Sequence, residues 1–344
     1  MTDAEKWEEI RNTARALMQP RCMVCPVCNG KACAGKTPGP GGKGEGLTFQ
    51  RNYSYLKEHV KVNMDMLHGQ FAPDTSAEFL GRTISLPVFA APIGMVAFSL
   101  SDAMNEYTYA EAVVSGMLEA GSFAFTGGGI HDECFYDPLK VIGEHGGQAI
   151  PTLKPWPNDV FFERLALTEK VSPVAFAVDI DTAGLVQASA AKSFVERKSA
   201  DDIRAIRERT KLPFIVKGIM TPAAAVKAAD AGVYGIVVSN HGGRVMDDGL
   251  STAEVLPAIR ETVGGRVRIF IDGGVRSGGD VFKMLALGAD YVLIGRPYMI
   301  AAYGGKADGV ALYTRKLQAE LADFMGMTGC ETIRDIDRSK VEIV

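Results

Sequence analysis

The sequence has no run of 18 consecutive apolar residues, the length that a membrane-spanning helix needs, so no membrane span is expected. It has no excess of one charge: 37 Lys and Arg stand against 41 Asp and Glu, a net charge of −4. That balance gives no electrostatic footprint for nucleic acid or for an anionic membrane surface. The opening residues, MTDAEKWEEIRNTARALM, are acidic and helical and lack the basic-then-apolar order of a signal peptide, so a cytoplasmic protein is expected. Also missing is the G-x-G-x-x-G turn that an open, doubly wound sheet carries after its first strand; that position reads APIGM. Cysteine is scarce, six residues in 344, and unevenly spread. Cys134 and Cys330 are isolated and read as inert core thiols, whereas Cys22, Cys25, Cys28 and Cys33 follow a C-x₂-C-x₂-C-x₄-C spacing. In a cytosolic protein such spacing points to metal or redox chemistry more than to a disulfide frame.

What remains is an ordinary globular composition, 47% apolar and 23% charged, in a chain long enough for one large domain. A first helix is expected from about Ala4 to Met18, stopped at Pro20. The Gly/Pro-rich segment that follows has too few large apolar residues to pack by itself. From Leu47 onward, short β-rich apolar runs alternate with amphipathic helical stretches of ten to fifteen residues. The expected strands are Pro87–Pro92, Ser122–Thr126, Gln148–Leu153, Val174–Asp179, Pro213–Lys217, Gly235–Ser239, Arg268–Asp272 and Tyr291–Ile294. Several are continuous apolar runs, such as VAFAVD, GIVVS and RIFID, as strands covered on both faces of a parallel sheet are. Eight such units make a closed (β/α)₈ barrel the expected α/β architecture. It spans residues 47–344, after an N-terminal helix and Cys/Gly-rich segment over 1–46, with no second domain.

The chemistry of such a barrel gathers at the C-terminal ends of its strands. Those ends carry Gly94, Asp179, Lys217, the run Ser239-Asn240-His241-Gly242-Gly243-Arg244, then Asp272-Gly273-Gly274-Val275-Arg276, and finally Gly295-Arg296. The last two groups read as a phosphate site: glycines let backbone N–H groups approach an anion, a helix N-terminus follows, and two arginines add charge. The alternative is a pair of tight turns with solvated arginines. Lys217 closes the apolar strand PFIVKG, where an ammonium group is costly to bury unless it faces an anion or an electron-rich ring. His241 and Arg244 offer a base near neutral pH beside a fork-shaped carboxylate binder. Asp179 is placed to orient the imidazole, or else serves as a helix cap.

Together these residues resemble the FMN-dependent 2-hydroxy-acid oxidase and dehydrogenase family, which includes glycolate oxidase, lactate oxidase and mandelate dehydrogenase. The resemblance runs from about Leu47 to Asp335 and is strongest over KLPFIVKG, GIVVSNHGGR, IDGGVRSGGDVFKMLALGAD and IGRP. It implies that His241, Asp179 and Lys217 are catalytic, with His241 taking a proton from the substrate and Asp179 pairing with it. Arg244 would hold the substrate carboxylate. The FMN-binding set would be Ala91, Pro92, Ile93, Gly94, Thr126, Lys217, Ser239, Asp272, Gly273, Gly274, Arg276, Gly295 and Arg296. Within that set, Lys217 would face the flavin ring, and Arg276, Gly295 and Arg296 the phosphate. A small-molecule substrate and a homo-oligomer (tetramer or octamer) are also implied.

The departures from the family pattern concern the substrate. Members that oxidise glycolate or lactate carry an arginine shortly after the aspartate matching Asp179, where this chain reads DIDTAGLVQ. They also have Q-x-Y after the third strand, where this chain reads PTLKPW, and an N-terminal tyrosine that the cysteine segment replaces. Lys154 is the residue expected to make up some of these contacts. Gly94 stands where family oxidases often have alanine, a lean toward dehydrogenases. The four clustered cysteines are candidate ligands for zinc or an iron–sulfur cluster, or else free thiols in a flexible arm or a loop over the barrel mouth. A flavin-dependent isomerase on the same barrel, or another FMN barrel with a different substrate, is the competing function.

Overall fold

The computed structural model describes residues 1–37, 39–185 and 194–344. The apolar runs form eight parallel strands: β1 (Val88–Ala90), β2 (Phe125–Thr126), β3 (Ile150–Leu153), β4 (Phe176–Asp179), β5 (Phe214–Ile219), β6 (Gly235–Val238), β7 (Arg268–Ile271) and β8 (Tyr291–Ile294). Each pairs with its sequence neighbour from β2 to β8. β8 pairs with β1, and a bridge between Ala90 and Ala124 closes the ring. The result is a (β/α)₈ barrel, with helices such as Glu106–Glu119, Pro222–Asp230, Thr252–Val263 and Gly278–Ala286 between strands. The expected strands are recovered with trimmed ends. Pro87–Pro92 and Ser122–Thr126 shrink most, to Val88–Ala90 and Phe125–Thr126, while β5 runs past Lys217 to Ile219.

Two apolar layers explain why the strands read as unbroken apolar runs. Outward side chains such as Val88, Phe176, Val216 and Ile236 are buried against the helices. Inward ones, Phe89, Phe125, Ile215, Val237, Phe270 and Tyr291, fill the barrel. A short hairpin (Ala77–Phe79 with Arg82–Ile84) turns at Leu80 and Gly81, both in the left-handed region, and drives Phe79 into the N-terminal end of the barrel. The Phe79 ring lies 5.0 Å from Phe89 and 5.6 Å from Tyr291. With its bottom plugged by aromatics, the barrel opens toward the C-terminal ends of its strands.

The N-terminal helix α1 (Asp3–Met18) begins with a capping box between Thr2 and Glu5 and packs on the helix Arg296–Gly326, where Trp7 stacks on Tyr313 at 4.9 Å. The following residues, up to α2 (Leu47–Glu58), contain no described helix or strand. Arginines hold this stretch by its carbonyl groups: Arg11 Nη2 donates to Cys25 O at 2.9 Å and Arg276 Nε to Cys28 O at 3.1 Å. No described helix is long and apolar enough to cross a membrane.

Candidate active site

A cavity of about 1180 Å³, open mouth included, lies at the C-terminal ends of the strands. Its wall gathers residues that are far apart in sequence: Ala91, Pro92, Ile93 and Gly94 after β1, Lys154 after β3, and Lys217 in β5. His241 and Arg244 follow β6, Asp272, Gly273, Gly274 and Arg276 follow β7, and Gly295 and Arg296 follow β8. Three residues expected at the site do not line it. Asp179 and Ser239 are buried and bonded to residues that do. Thr126 is buried at the end of β2, and its Oγ1 has no partner among the described residues. The stretch that lacks the family's second arginine contributes Thr182 and Leu185 to the wall; its residues 186 and 187 lie outside the described residues.

The centre of the site is an ion network built by strand register. Asp179 and Lys217 are register partners on β4 and β5, which brings a carboxylate and an ammonium group together at the barrel mouth. Lys217 Nζ donates to Asp179 Oδ1 at 3.1 Å, and Lys154 Nζ donates to Asp179 Oδ2 at 2.9 Å and to Thr182 Oγ1 at 3.3 Å. Burial would raise the Asp179 pKa, but the two ammonium groups, with His241, hold it well below the ordinary range. Burial likewise acts against the Lys217 charge, and Asp179, Asp181 and Asp272 outweigh it and push that pKa up.

Asp181 is the residue beside His241 that the sequence did not single out. His241 Nδ1 lies 2.9 Å from Asp181 Oδ1 and 3.5 Å from Asp179 Oδ1, so the closer carboxyl is not the expected one. Asp179 is occupied by the two lysines, and the imidazole turns to the acid two residues on. The only available signal was the second acid in D-I-D. Gly218 makes the arrangement possible: it sits at a bulge in β5 with φ +106°, and a Cβ there would lie 2.8 Å from the Asp181 Cβ.

Burial, then the Asp179 charge, pushes the Asp181 pKa well up, while burial and Lys217 push that of His241 well down. The imidazole is therefore neutral. Nδ1 faces Asp181, so Nε2 is the ring nitrogen left free of that carboxyl. Asp179, Asp181 and His241 lie close enough to hold a metal ion, with ligand atoms within 4.8 Å of one another, but lysine ammonium groups already take both Asp179 oxygens. His241 also has φ +56°, rare for a residue with a side chain, and its N–H donates to Ser239 Oγ at 3.1 Å. Ser239 Oγ donates in turn to Asp272 Oδ2 at 2.8 Å.

The other side of the cavity is arranged for an anion. Gly295 opens the helix Arg296–Gly326 without a side-chain cap, so this N-terminus keeps its dipole and amides for a ligand. Arg296 packs 3.7 Å above the Phe49 ring and donates to Pro40 O and Gly242 O. Arg276 Nη2 and Arg244 Nε are buried and have no partner among the described residues. Buried donors without acceptors are costly unless a ligand supplies them.

Gly94 has a structural reason that its family comparison did not supply. A Cβ at Gly94 would lie 2.6 Å from Gly128 O, because the loops after β1 and β2 touch backbone to backbone.

The six cysteines are free thiols, with Cys134 and Cys330 buried as expected. The four N-terminal ones do not form a group drawn together tightly enough for a single ion.

A closed eight-stranded barrel with a histidine, buried lysines and arginines around one cavity at the C-terminal ends of its strands defines a (β/α)₈ protein with its site at the barrel mouth. The model of the FMN-dependent dehydrogenase family matches residues 40–120 and 159–343, and the chain belongs to that family. It is 49% identical over 158 residues to the peroxisomal (S)-2-hydroxyacid oxidase GLO3 of Arabidopsis thaliana; that match covers 45% of this chain and 43% of the plant enzyme, less than half its length. It is 29% identical over 327 residues to an L-lactate oxidase of Lactobacillus jensenii, covering 85% of this chain and 77% of that protein. A crystal structure of mandelate oxidase with (S)-2-phenylpropionate superposes with a TM-score of 0.79 at 26% identity over 98% of both chains.

Proposed function

We propose that this protein oxidises a 2-hydroxy acid to the 2-oxo acid with FMN as its electron acceptor. The observation that carries this reading is His241, 2.9 Å from Asp181, on the same cavity wall as Arg244, whose buried Nε has no partner among the described residues. FMN, when bound, supplies the two-electron acceptor. The residues fit it: Gly273, Gly274 and Gly295 give close approach, and the free Arg276 Nη2 and the uncapped helix end at Arg296 suit its phosphate. Ala91 to Gly94 form the opposite wall, and Lys217 brings positive charge to the cavity between them.

In this reading Arg244 binds the substrate carboxylate and His241 Nε2 accepts the hydroxyl proton. Asp181 keeps the imidazole in the tautomer that leaves Nε2 free. Asp179 offsets part of the charge of Lys154 and Lys217, and the positive charge that remains beside His241 favours its neutral form. Lys154 spends two of its three N–H donors on Asp179 and Thr182 and keeps one for a substrate.

The substrate is a hydroxy acid bulkier than glycolate or lactate. The carboxylate has lost the family's second arginine and its tyrosine, each charge-assisted partner contributing about 1.5–3 kcal/mol. Leu185 and Phe194 on the wall provide apolar surface, at about 25 cal/mol per Å² buried. Steady-state kinetics over acids of increasing size test this: kcat/KM rises with the apolar group, and efficient turnover of glycolate or lactate overturns it. A cytoplasmic location and a homo-oligomeric assembly belong to the same reading. Six free thiols support the first, and family resemblance supports the second.

A further inference from the structure

The N-terminal segment encloses a second cavity, and Cys22, Cys25, Cys28 and Cys33 all line it. Four half-buried free thiols facing one space of about 490 Å³ are not what a flexible arm provides. The chain is wrapped around this space by specific contacts. Val24 takes a left-handed φ of +44°, and Gly30, at φ +86°, packs where a Cβ would lie 2.8 Å from the Phe49 ring. Arg11, Arg15 and Arg276 bond the carbonyls of Cys25, Val24 and Cys28. The fold thus holds the ligand loop in place from three directions.

The number and surroundings of the thiols point to the occupant. A zinc ion with sulfur ligands at about 2.3 Å would gather them within about 3.8 Å of one another. These four do not form such a single-ion group, although Asp179, Asp181 and His241 elsewhere in the chain do. A cubane cluster puts its own iron and sulfide between the thiolates and keeps them farther apart. Four thiolates around such a cluster carry net negative charge, and Arg21, Lys36 and Arg296 line the same cavity. The C-x₂-C-x₂-C run, with a fourth cysteine five residues on, supplies the full Cys₄ set.

We propose that Cys22, Cys25, Cys28 and Cys33 hold a [4Fe–4S] cluster, and that it is the one-electron outlet of the flavin site. Pro40, Arg296 and Met299 line both cavities, so the cluster lies directly beside the flavin cavity. The outlet role rests on the FMN reading above. Oxidising the hydroxy acid to the oxo acid breaks its C–H and O–H bonds and delivers two electrons to FMN and two protons to solvent. The electrons leave one at a time through the cluster to a one-electron carrier protein, which is the terminal oxidant.

The test uses the full chain purified without oxygen and reconstituted with ferrous iron and sulfide. Iron, acid-labile sulfide, zinc and FMN are measured per chain. About four iron and four sulfide are expected, with little zinc. The Cys22→Ser/Cys25→Ser double variant should lose the iron and sulfide and keep its FMN, which separates ligand loss from misfolding. Stoichiometric zinc without sulfide, or neither metal in reconstituted protein, overturns the cluster. For the outlet, the bound flavin is reduced by light with a sacrificial donor, so the result does not depend on any hydroxy acid. The wild type should then show a paramagnetic reduced cluster and pass electrons to a viologen dye, and the double variant should lose dye reduction. Equal dye reduction in both proteins overturns the outlet role even where the cluster is present.

Discussion

Replacing Asp179 with asparagine keeps the side-chain volume and removes the charge on which two lysines depend. Asp179, Lys154 and Lys217 are all nearly buried, with side-chain exposures of 2%, 8% and 3%. The variant leaves two ammonium groups in a poorly solvated site facing an amide. Removing one partner of a buried ion pair costs about 3–5 kcal/mol. At about 2 °C per kcal/mol for a chain of this size, Tm should fall by about 6–10 °C, read by circular dichroism on protein of matched flavin content. The pH dependence is specific. The Asp179 pKa is depressed in the folded state below its ordinary 3.8, so its contribution is fully present above that value. The gap between wild type and variant should therefore stay constant from neutral pH down to about 4 and narrow only as pH falls further toward the folded pKa. Adding Lys154→Met removes one orphaned ammonium group and should recover part of the loss. An asparagine variant within 1–2 °C of wild type, where a single kcal/mol moves Tm by about 2 °C, would refute the argument that Asp179 is the counter-charge of this network.

Other perturbations separate the parts of the site. His241→Ala should retain flavin and lose about 10²–10⁴-fold in the rate of flavin reduction by substrate, measured by stopped flow. Because burial lowers the His241 pKa well below 6.5, the acid limb of that rate should lie well below pH 6.5; a limb at or above it contradicts the neutral imidazole. Asp181→Asn keeps a neutral acceptor for Nδ1 and should cost far less than Asp181→Ala, compared through kcat at matched flavin content; equal losses would show that only the charge of Asp181 matters. Arg296→Ala should weaken FMN retention by about 1.5–3 kcal/mol in equilibrium dialysis, with unchanged affinity excluding a phosphate role. Gly94→Ala must push its loop off Gly128, and the expected result is a lowered Tm together with weaker flavin binding.

The barrel was legible because each strand is buried on both faces and so reads as an apolar run, and because the polar residues that end those runs mark the mouth. His241, Arg244, Lys217 and Arg296 were readable for that reason: each lies toward the end of an apolar strand or in the turn that follows it. Asp181 was not, because the choice between two carboxyl groups two residues apart depends on a bulge in a different strand, at Gly218, and on Lys154 capturing Asp179 from a third. Thr126 and Ser239 sat at the right strand ends, yet their side chains do not reach the cavity wall, because a strand end fixes position along the barrel and not the direction of the side chain. The cysteine segment could be read only as a spacing. Its placement comes from arginines bonding its carbonyl groups, which leaves no trace in hydrophobic pattern.

The central claim is that this cavity binds FMN and passes electrons to it from a hydroxy acid through His241 and Arg244. Anaerobic titration of the purified, FMN-loaded protein with a panel of 2-hydroxy acids, from glycolate through mandelate to larger aryl and alkyl acids, tests it directly. The visible flavin absorbance should bleach with the bulkier acids and persist in Arg244→Ala under the same conditions. A flavin that stays oxidised with every acid, or bleaches equally well without Arg244, would contradict it.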